Sequence, residues 1–207
     1  VAILQTCLIK TDNSSVQIWK TNEEETEFFL AMELSADREA SVQSHPKKKV
    51  EYRMVRHMQQ LELPDSTILY KENGQPYLDC EDVFISISHS YPYAAFAWSQ
   101  KPVGIDLEQI KSKITRVKGK FLNDNEMQWL PTVDEQEYLT VIWAIKEALY
   151  KLHPSKYWSL KKHYEVSPFS LENLANVPCK VFDEHFEDVF TAKVSKVDDC
   201  YFALVGG

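Results

Sequence analysis

The chain lacks any apolar run of the length a bilayer span requires, and its first ten residues, VAILQTCLIK, turn polar too soon for a signal peptide. A cytoplasmic protein without a membrane segment is therefore expected. The four cysteines, Cys7, Cys80, Cys179 and Cys200, show no CxxC spacing, which argues against a zinc knuckle or a disulfide framework and leaves reduced, mostly buried thiols as the expectation. A GxSxG elbow is also missing, so the run Ser88-His89-Ser90 is not read as a hydrolase triad; neighbours in an extended chain face opposite ways. No low-complexity linker interrupts the chain, and a formal net charge of −8 argues against a general nucleic-acid binder. What is there is a chain of 207 residues, 44% apolar and 26% charged, long enough for one large domain or two small ones.

The charge is unevenly spread. Residues 109 to 121, QIKSKITRVKGKF, carry Lys111, Lys113, Arg116, Lys118 and Lys120 with no acid, and a second basic cluster, HPKKKVEYRMVRHM, spans 45 to 58. Such runs read equally as a solvated face or as a site for an anionic partner. The second cluster predicts a helix after His45-Pro46, because Val50, Met54, His57-Met58 and Leu61 recur at helical spacing. It places Lys47, Lys48 and Lys49 in the first turn, at the positive end of the helix dipole, where an anion would be welcome.

Elsewhere the periodicity predicts a hairpin over 1 to 9 and 15 to 19 with Asp12, Asn13 and Ser14 as the turn, then a helix opened by a Thr21/Glu24 capping box. Strands STILY, VFISIS, YAAFAWS and PVGIDLE follow, with ENGQP as a turn. Two helices come next, the second with Leu139, Ile142, Ile145, Leu149 and Leu152 as its core stripe, and the C-terminal third reads as strands. The expected fold class is α+β, with two similar lobes, each an antiparallel sheet packed with a long helix, over 1–100 and 101–207 and an active cleft between them.

Two segments carry chemistry. In VGIDLEQ, residues 103 to 109, Asp106 and Glu108 lie at i and i+2 of a strand and so share a face. If that face is partly enclosed, two such anions repel by roughly 3 kcal/mol, and a proton, a basic side chain or a metal ion must offset it. In WAIKEALYK, residues 143 to 151, Glu147 stands in an otherwise apolar stretch. Taken alone it reads as the partner of Lys151 in an i,i+4 salt bridge, with Lys146 as an ordinary surface lysine. Taken with Asp106 and Glu108, it completes three oxygen ligands of the kind Mg²⁺ favours.

NGQP, FISISHS, VGIDLE and WAIKEALYK, in this order and at these separations, resemble the 4′-phosphopantetheinyl transferase superfamily, in its larger two-lobed, surfactin-synthetase-activating type. The resemblance implies Mg-dependent transfer of the phosphopantetheine arm of coenzyme A to a serine of an apo acyl or peptidyl carrier protein, with adenosine 3′,5′-bisphosphate released. It implies Asp106, Glu108 and Glu147 as metal ligands. Glu147 is the leading candidate for general base, Glu108 acting through water is the other, and Lys146 and Lys151 would contact phosphate oxygens. Ser88 and His89 would bind coenzyme A phosphates, Gly74, Gln75 and Pro76 would line the adenine pocket, and Lys47, Lys48 and Lys49 would meet the 3′-phosphate. Glutamine stands at 75 where the family usually has a basic residue. The run from Lys111 to Lys120 would then steer the acidic helix of the carrier, and a monomer is expected. A non-catalytic homologue that binds coenzyme A or a carrier, and a metal-dependent phosphohydrolase, are the alternatives.

Overall fold

The computed structural model describes residues 5–10, 14–32, 45–80 and 82–207. The expected turn residues Asp12 and Asn13, the side chain of Cys7 and the end of the first helix beyond Met32 lie outside the described residues. The chain forms two compact units, Val1–Lys101 and Pro102–Gly207. Both combine antiparallel strands with helices, as an α+β fold requires.

In the first unit, strands β1 (Gln5–Lys10), β2 (Ser14–Lys20), β5 (Phe84–Ser90) and β6 (Tyr93–Ser99) make a sheet of order β1-β2-β6-β5. Ser14, expected in a turn, pairs with Ser99 as the first residue of β2. Helix α1 (Glu23–Ala31) starts one residue later than expected: Asn22 is the N-cap, its side chain accepting from Glu25 N at 2.9 Å while the Glu25 carboxylate accepts from Asn22 N. The Thr21 hydroxyl instead donates to Pro92 O, so it is unavailable as a cap.

Helix α2 (Pro46–Glu62) begins at His45, as its sequence predicts; the His45 ring accepts from Lys47 N and Pro46 takes the first helical position. Its Val50, Met54 and Met58 pack with Trp19, Phe29 and Phe96 in the core of this unit. Arg53, buried, reaches back from α2 to the carbonyls of Phe29 and Leu30, satisfying the C-terminal end of α1, which has no basic residue of its own in its last turn. Strands β3 (Ile68–Tyr70) and β4 (Pro76–Leu78) form a separate hairpin. At its tip Gly74 adopts φ +82°, a conformation that favours glycine.

The second unit is built on β7 (Val103–Gln109), β8 (Tyr164–Val166), β9 (Val177–Phe182), β10 (Glu187–Val197) and β11 (Cys200–Gly206), in the order β7-β11-β10-β9-β8. The basic segment becomes a short helix α3 (Lys113–Val117) and a 3₁₀ turn (Lys118–Lys120), followed by α4 (Asp124–Trp129), the long helix α5 (Glu135–Leu152) and α6 (Leu160–His163). Helix α5 lies on β7 and β11 and buries Leu139, Ile142, Ile145 and Leu149 completely; Leu152, expected in the same stripe, is only partly buried. Among the thiols, Cys179 and Cys200 are free and buried, whereas Cys80 is exposed rather than buried. No described helix is long and apolar enough to cross a membrane.

Candidate functional site

Strand β7 and helix α5 meet at Gly104. A side chain there would collide with the carbonyl oxygen of Ala148 and come within 2.9 Å of Leu152 Cβ. The strand backbone therefore lies directly against the helix, a close approach that only glycine permits. One residue pair further along β7, on the same face as Gly104, comes Asp106, 4% exposed, and then Glu108, partly buried. The intimacy at Gly104 is what brings the helix residues Glu147 and Lys151 to these acids.

The repulsion expected of an enclosed acid pair is met first by Lys151. Its Nζ donates to Asp106 Oδ1 at 2.7 Å and to Ile105 O at 3.0 Å. The helical Glu147–Lys151 bond weighed from the sequence is therefore not the one formed; the ammonium crosses to the strand. Trp143, one turn before Glu147 on α5, donates Nε1–H to Glu108 Oε1 at 3.2 Å. These contacts do not restore ordinary acidity. Burial, followed by the Asp106 charge, pushes Glu108 up to about 7 against the opposing effects of Trp143 and Lys151. Burial and then Asp106 push Glu147 to about 7 as well, again opposed by Lys151. Three carboxylates thus share one ammonium, and the remaining negative charge is held off by protonation near neutral pH.

Such a cluster can do two things. Oxygen-only donors with surplus negative charge fit a hard divalent cation, which Asp106, Glu108 and Glu147 would hold. A carboxylate that titrates near neutrality also suits proton transfer. Among the described residues no three His, Cys, Asp or Glu side chains already stand at metal-ligand spacing. The fit therefore rests on donor chemistry and charge, and holding an ion requires the acids to draw together.

A cavity of about 780 Å³ opens beside the acids, lined by Glu108, Glu147, Lys113, Lys120, Phe121 and Trp143 among others. Its lining brings the lysines Lys111, Lys113 and Lys120 together with the aromatic rings of Phe121 and Trp143. Of the basic run, Lys111, Lys113, Arg116 and Lys120 are exposed, whereas Lys118 is paired with Glu135 at 2.5 Å.

Lys146 is not brought to this site. It is 0% exposed, and its three N–H donors go to Glu126 Oε2 at 2.6 Å, Phe121 O at 2.7 Å and Leu160 O at 3.2 Å. A lysine so enclosed is neither the surface lysine nor the phosphate contact expected from the sequence. Glu126, the N3 residue of α4's capping box, also accepts from Asn123 N and Val166 N. Burial lowers the Lys146 pKa and raises that of Glu126, each opposed by the charge of the other. The pair ties α4, α5 and β8 together beneath the site.

The other expected residues lie in the first unit. His89, on β5, is 52% exposed in its side chain and places Nδ1 3.2 Å from Glu51 Oε2. Ser88 faces the opposite way and is buried. Lys47 and Lys48 are exposed and Lys49 is partly exposed in the first turn of α2; Lys47 stacks its ammonium 4.9 Å from the Tyr91 ring centroid, so Lys47 and His89, remote in sequence, share a neighbourhood. Gly74, Gln75 and Pro76 form the β3–β4 connection, with Gly74 N donating to Lys71 O and Gln75 N to Asn73 Oδ1. Sequence reasoning missed Trp143, Glu126 and Glu51. Two of them carried a local signal: Trp143 stands four residues before Glu147, and Glu51 is the lone acid of the basic helix segment.

Comparison with known proteins shows what this part of the chain is similar to. Residues 102–195, the span holding β7 and α5, match the 4′-phosphopantetheinyl transferase superfamily. Over 136 residues the chain is 29% identical to the 4′-phosphopantetheinyl transferase gsp of Aneurinibacillus migulanus, covering 59% of this chain and 57% of that protein. It is 30% identical over 96 residues to the 4′-phosphopantetheinyl transferase Sfp of Bacillus subtilis (strain 168), covering 44% and 43%. For the 4′-phosphopantetheinyl transferase psf-1 of Bacillus pumilus the identity is 30% over 107 residues, covering 48% and 46%. The aligned regions span about half the length of these curated relatives. In the span that holds β7 and α5 the chain is thus similar to the 4′-phosphopantetheinyl transferase superfamily, and it resembles the Sfp and gsp proteins named as such transferases.

Proposed function

We propose that this protein transfers the 4′-phosphopantetheine arm of coenzyme A to a serine hydroxyl of an apo acyl or peptidyl carrier protein, releasing adenosine 3′,5′-bisphosphate. The observation that carries this reading is Asp106, paired with Lys151, standing with Glu108 and Glu147 beside a cavity whose lining includes lysines.

In the reaction the serine oxygen forms a bond to the phosphorus bearing pantetheine. The bond from that phosphorus to the bridging pyrophosphate oxygen breaks, and the electron pair leaves with the adenosine bisphosphate. The serine proton passes to a carboxylate. Glu147 takes it directly or Glu108 takes it through water; both are held near neutrality, where such a base works best. Asp106, Glu108 and Glu147 would hold Mg²⁺, which when bound would supply charge neutralisation at the pyrophosphate. Lys151 adds a positive charge beside the same acids. His89 and Lys47, with Lys48 and Lys49, are the candidates for coenzyme A phosphates, and the turn at Gly74, Gln75 and Pro76 for its adenine. Exposed Lys111, Lys113, Arg116 and Lys120 favour an acidic carrier surface.

The test is mass spectrometry of apo carrier proteins incubated with the enzyme, coenzyme A and Mg²⁺. The expected product is a carrier heavier by one phosphopantetheine, with adenosine bisphosphate formed only when carrier is present. Release without carrier would make the protein a phosphohydrolase, and release in neither case would make it a binding protein. Asp106→Ala and Glu147→Ala should abolish transfer while the fold survives. Full transfer by both would remove the acids from the mechanism.

A further inference from the structure

Glu51 is an acid among lysines, and it is buried. It sits just over one turn into α2, after Lys47, Lys48 and Lys49, with its side chain 8% exposed. A solvated acid would serve those lysines as a surface partner. This carboxylate instead turns to the β5–β6 connection: Oε2 lies 3.2 Å from His89 Nδ1, and Oε1 accepts from Tyr91 N at 2.8 Å. Both oxygens are engaged on the same short segment. The Glu51 contact fixes one edge of the imidazole, while more than half of the His89 side chain remains open to solvent.

We propose that Glu51 is a positioning residue for His89, holding the ring by Nδ1 so that Nε2–H is presented outward to an anionic ligand oxygen. This rests on the reading of His89 as a phosphate ligand of coenzyme A. The chemistry is specific to a carboxylate. Accepting from Nδ1 requires a proton there, so the tautomer with its only proton on Nε2 does not form the contact. The imidazolium, with a proton on each nitrogen, is the form that pairs through Nδ1 with the buried Glu51 carboxylate as its counter-charge and donates outward from Nε2. Lys47, over the Tyr91 ring, supplies positive charge in the same neighbourhood.

The experiment is a double-mutant cycle on coenzyme A binding by calorimetry, using the full chain with Glu51→Gln, His89→Ala and the double variant. Glutamine keeps the volume of Glu51 and an acceptor for Tyr91 N, and thermal unfolding checks that each variant is folded. His89→Ala should weaken binding by roughly 10- to 100-fold and Glu51→Gln by about 5- to 20-fold, the range of a charge-assisted hydrogen bond. In the His89→Ala background, Glu51→Gln should change the Kd less than about twofold. A Glu51→Gln effect of equal size in both backgrounds would make Glu51 merely structural and overturn the proposal. If His89→Ala bound coenzyme A normally and transfer continued, the proposal would fall while the transferase reading stood. A wild-type chain that neither bound coenzyme A nor modified a carrier would overturn both. Nitrogen NMR of His89 gives a ligand-free readout: a proton on Nδ1 in the wild type, displaced in Glu51→Gln. Identical spectra would also refute the proposal.

Discussion

Replacing Lys146 by methionine separates the structural role of this motif lysine from a ligand role. The substitution removes the ammonium and keeps most of the aliphatic stem. It leaves the Glu126 carboxylate, 0% exposed, with only Asn123 N and Val166 N as donors, and strips the carbonyls of Phe121 and Leu160 of a partner. Removing one member of a buried pair costs about 3–5 kcal/mol because the other charge stays buried. With a urea slope of about 2 kcal/mol/M, the unfolding midpoint should fall by roughly 2 M. The double variant Lys146→Met/Glu126→Leu should recover part of the loss, since no uncompensated charge remains. Recovery is incomplete because Asn123 N and Val166 N lose their acceptor. Measured cold, where Lys146→Met is still folded, the Kd for coenzyme A should stay within about threefold of wild type, because the side chain never reaches the acids. An unfolding midpoint unchanged by Lys146→Met, together with a large loss of coenzyme A affinity, would refute the reasoning and return Lys146 to the phosphates.

Other outcomes follow from the same geometry. Glu108 and Glu147, pushed up to about 7, bind more protons in the folded state than in the unfolded chain, so in a chelator stability should fall as pH rises from about 4.5 to 7. Glu108→Gln/Glu147→Gln should flatten that slope in denaturant titrations, and an unaltered slope would remove these acids as its source. Mg²⁺ should raise the melting temperature at pH 7.5 in the wild type but not in that double variant. Gly104→Ala should destabilise the protein by about 1–3 kcal/mol or more, since the new methyl group meets the Ala148 carbonyl and Leu152; calorimetric unfolding at wild-type temperature would contradict the packing of β7 on α5. Lys113→Glu/Arg116→Glu should weaken carrier affinity and its salt dependence far more than coenzyme A affinity, and equal losses in both would end the docking role.

Much of this was legible in the residues themselves. Alternation placed Asp106 and Glu108 on one strand face, and His45-Pro46 marked the start of α2. The capping box was read one residue early because Thr21 and Asn22 are both competent caps; what chose between them was Pro92 O, a partner 71 residues away for the Thr21 hydroxyl. Lys146 is more instructive. Its spacing from Leu139, Ile142 and Leu149 puts it on the buried stripe of α5, so periodicity pointed inward while its charge suggested the surface. The deciding acid, Glu126, lies 20 residues upstream with nothing local to announce it. Lys151, which taken alone reads as a helical partner of Glu147, bonds instead to Asp106, 45 residues away, because the missing side chain of Gly104 lets the strand come within reach.

Gly104 also leaves the β7–α5 contact without a side chain of its own at this end of α5. What joins strand and helix by polar contact here is Lys151, on Ile105 O and Asp106. A ligand that drew Lys151 away from Asp106 would leave that buried carboxylate without its cation, so an anion taking the lysine and a cation taking the acid would favour each other's binding. The site's resting order and the coupling between its ligands would then come from the same lysine.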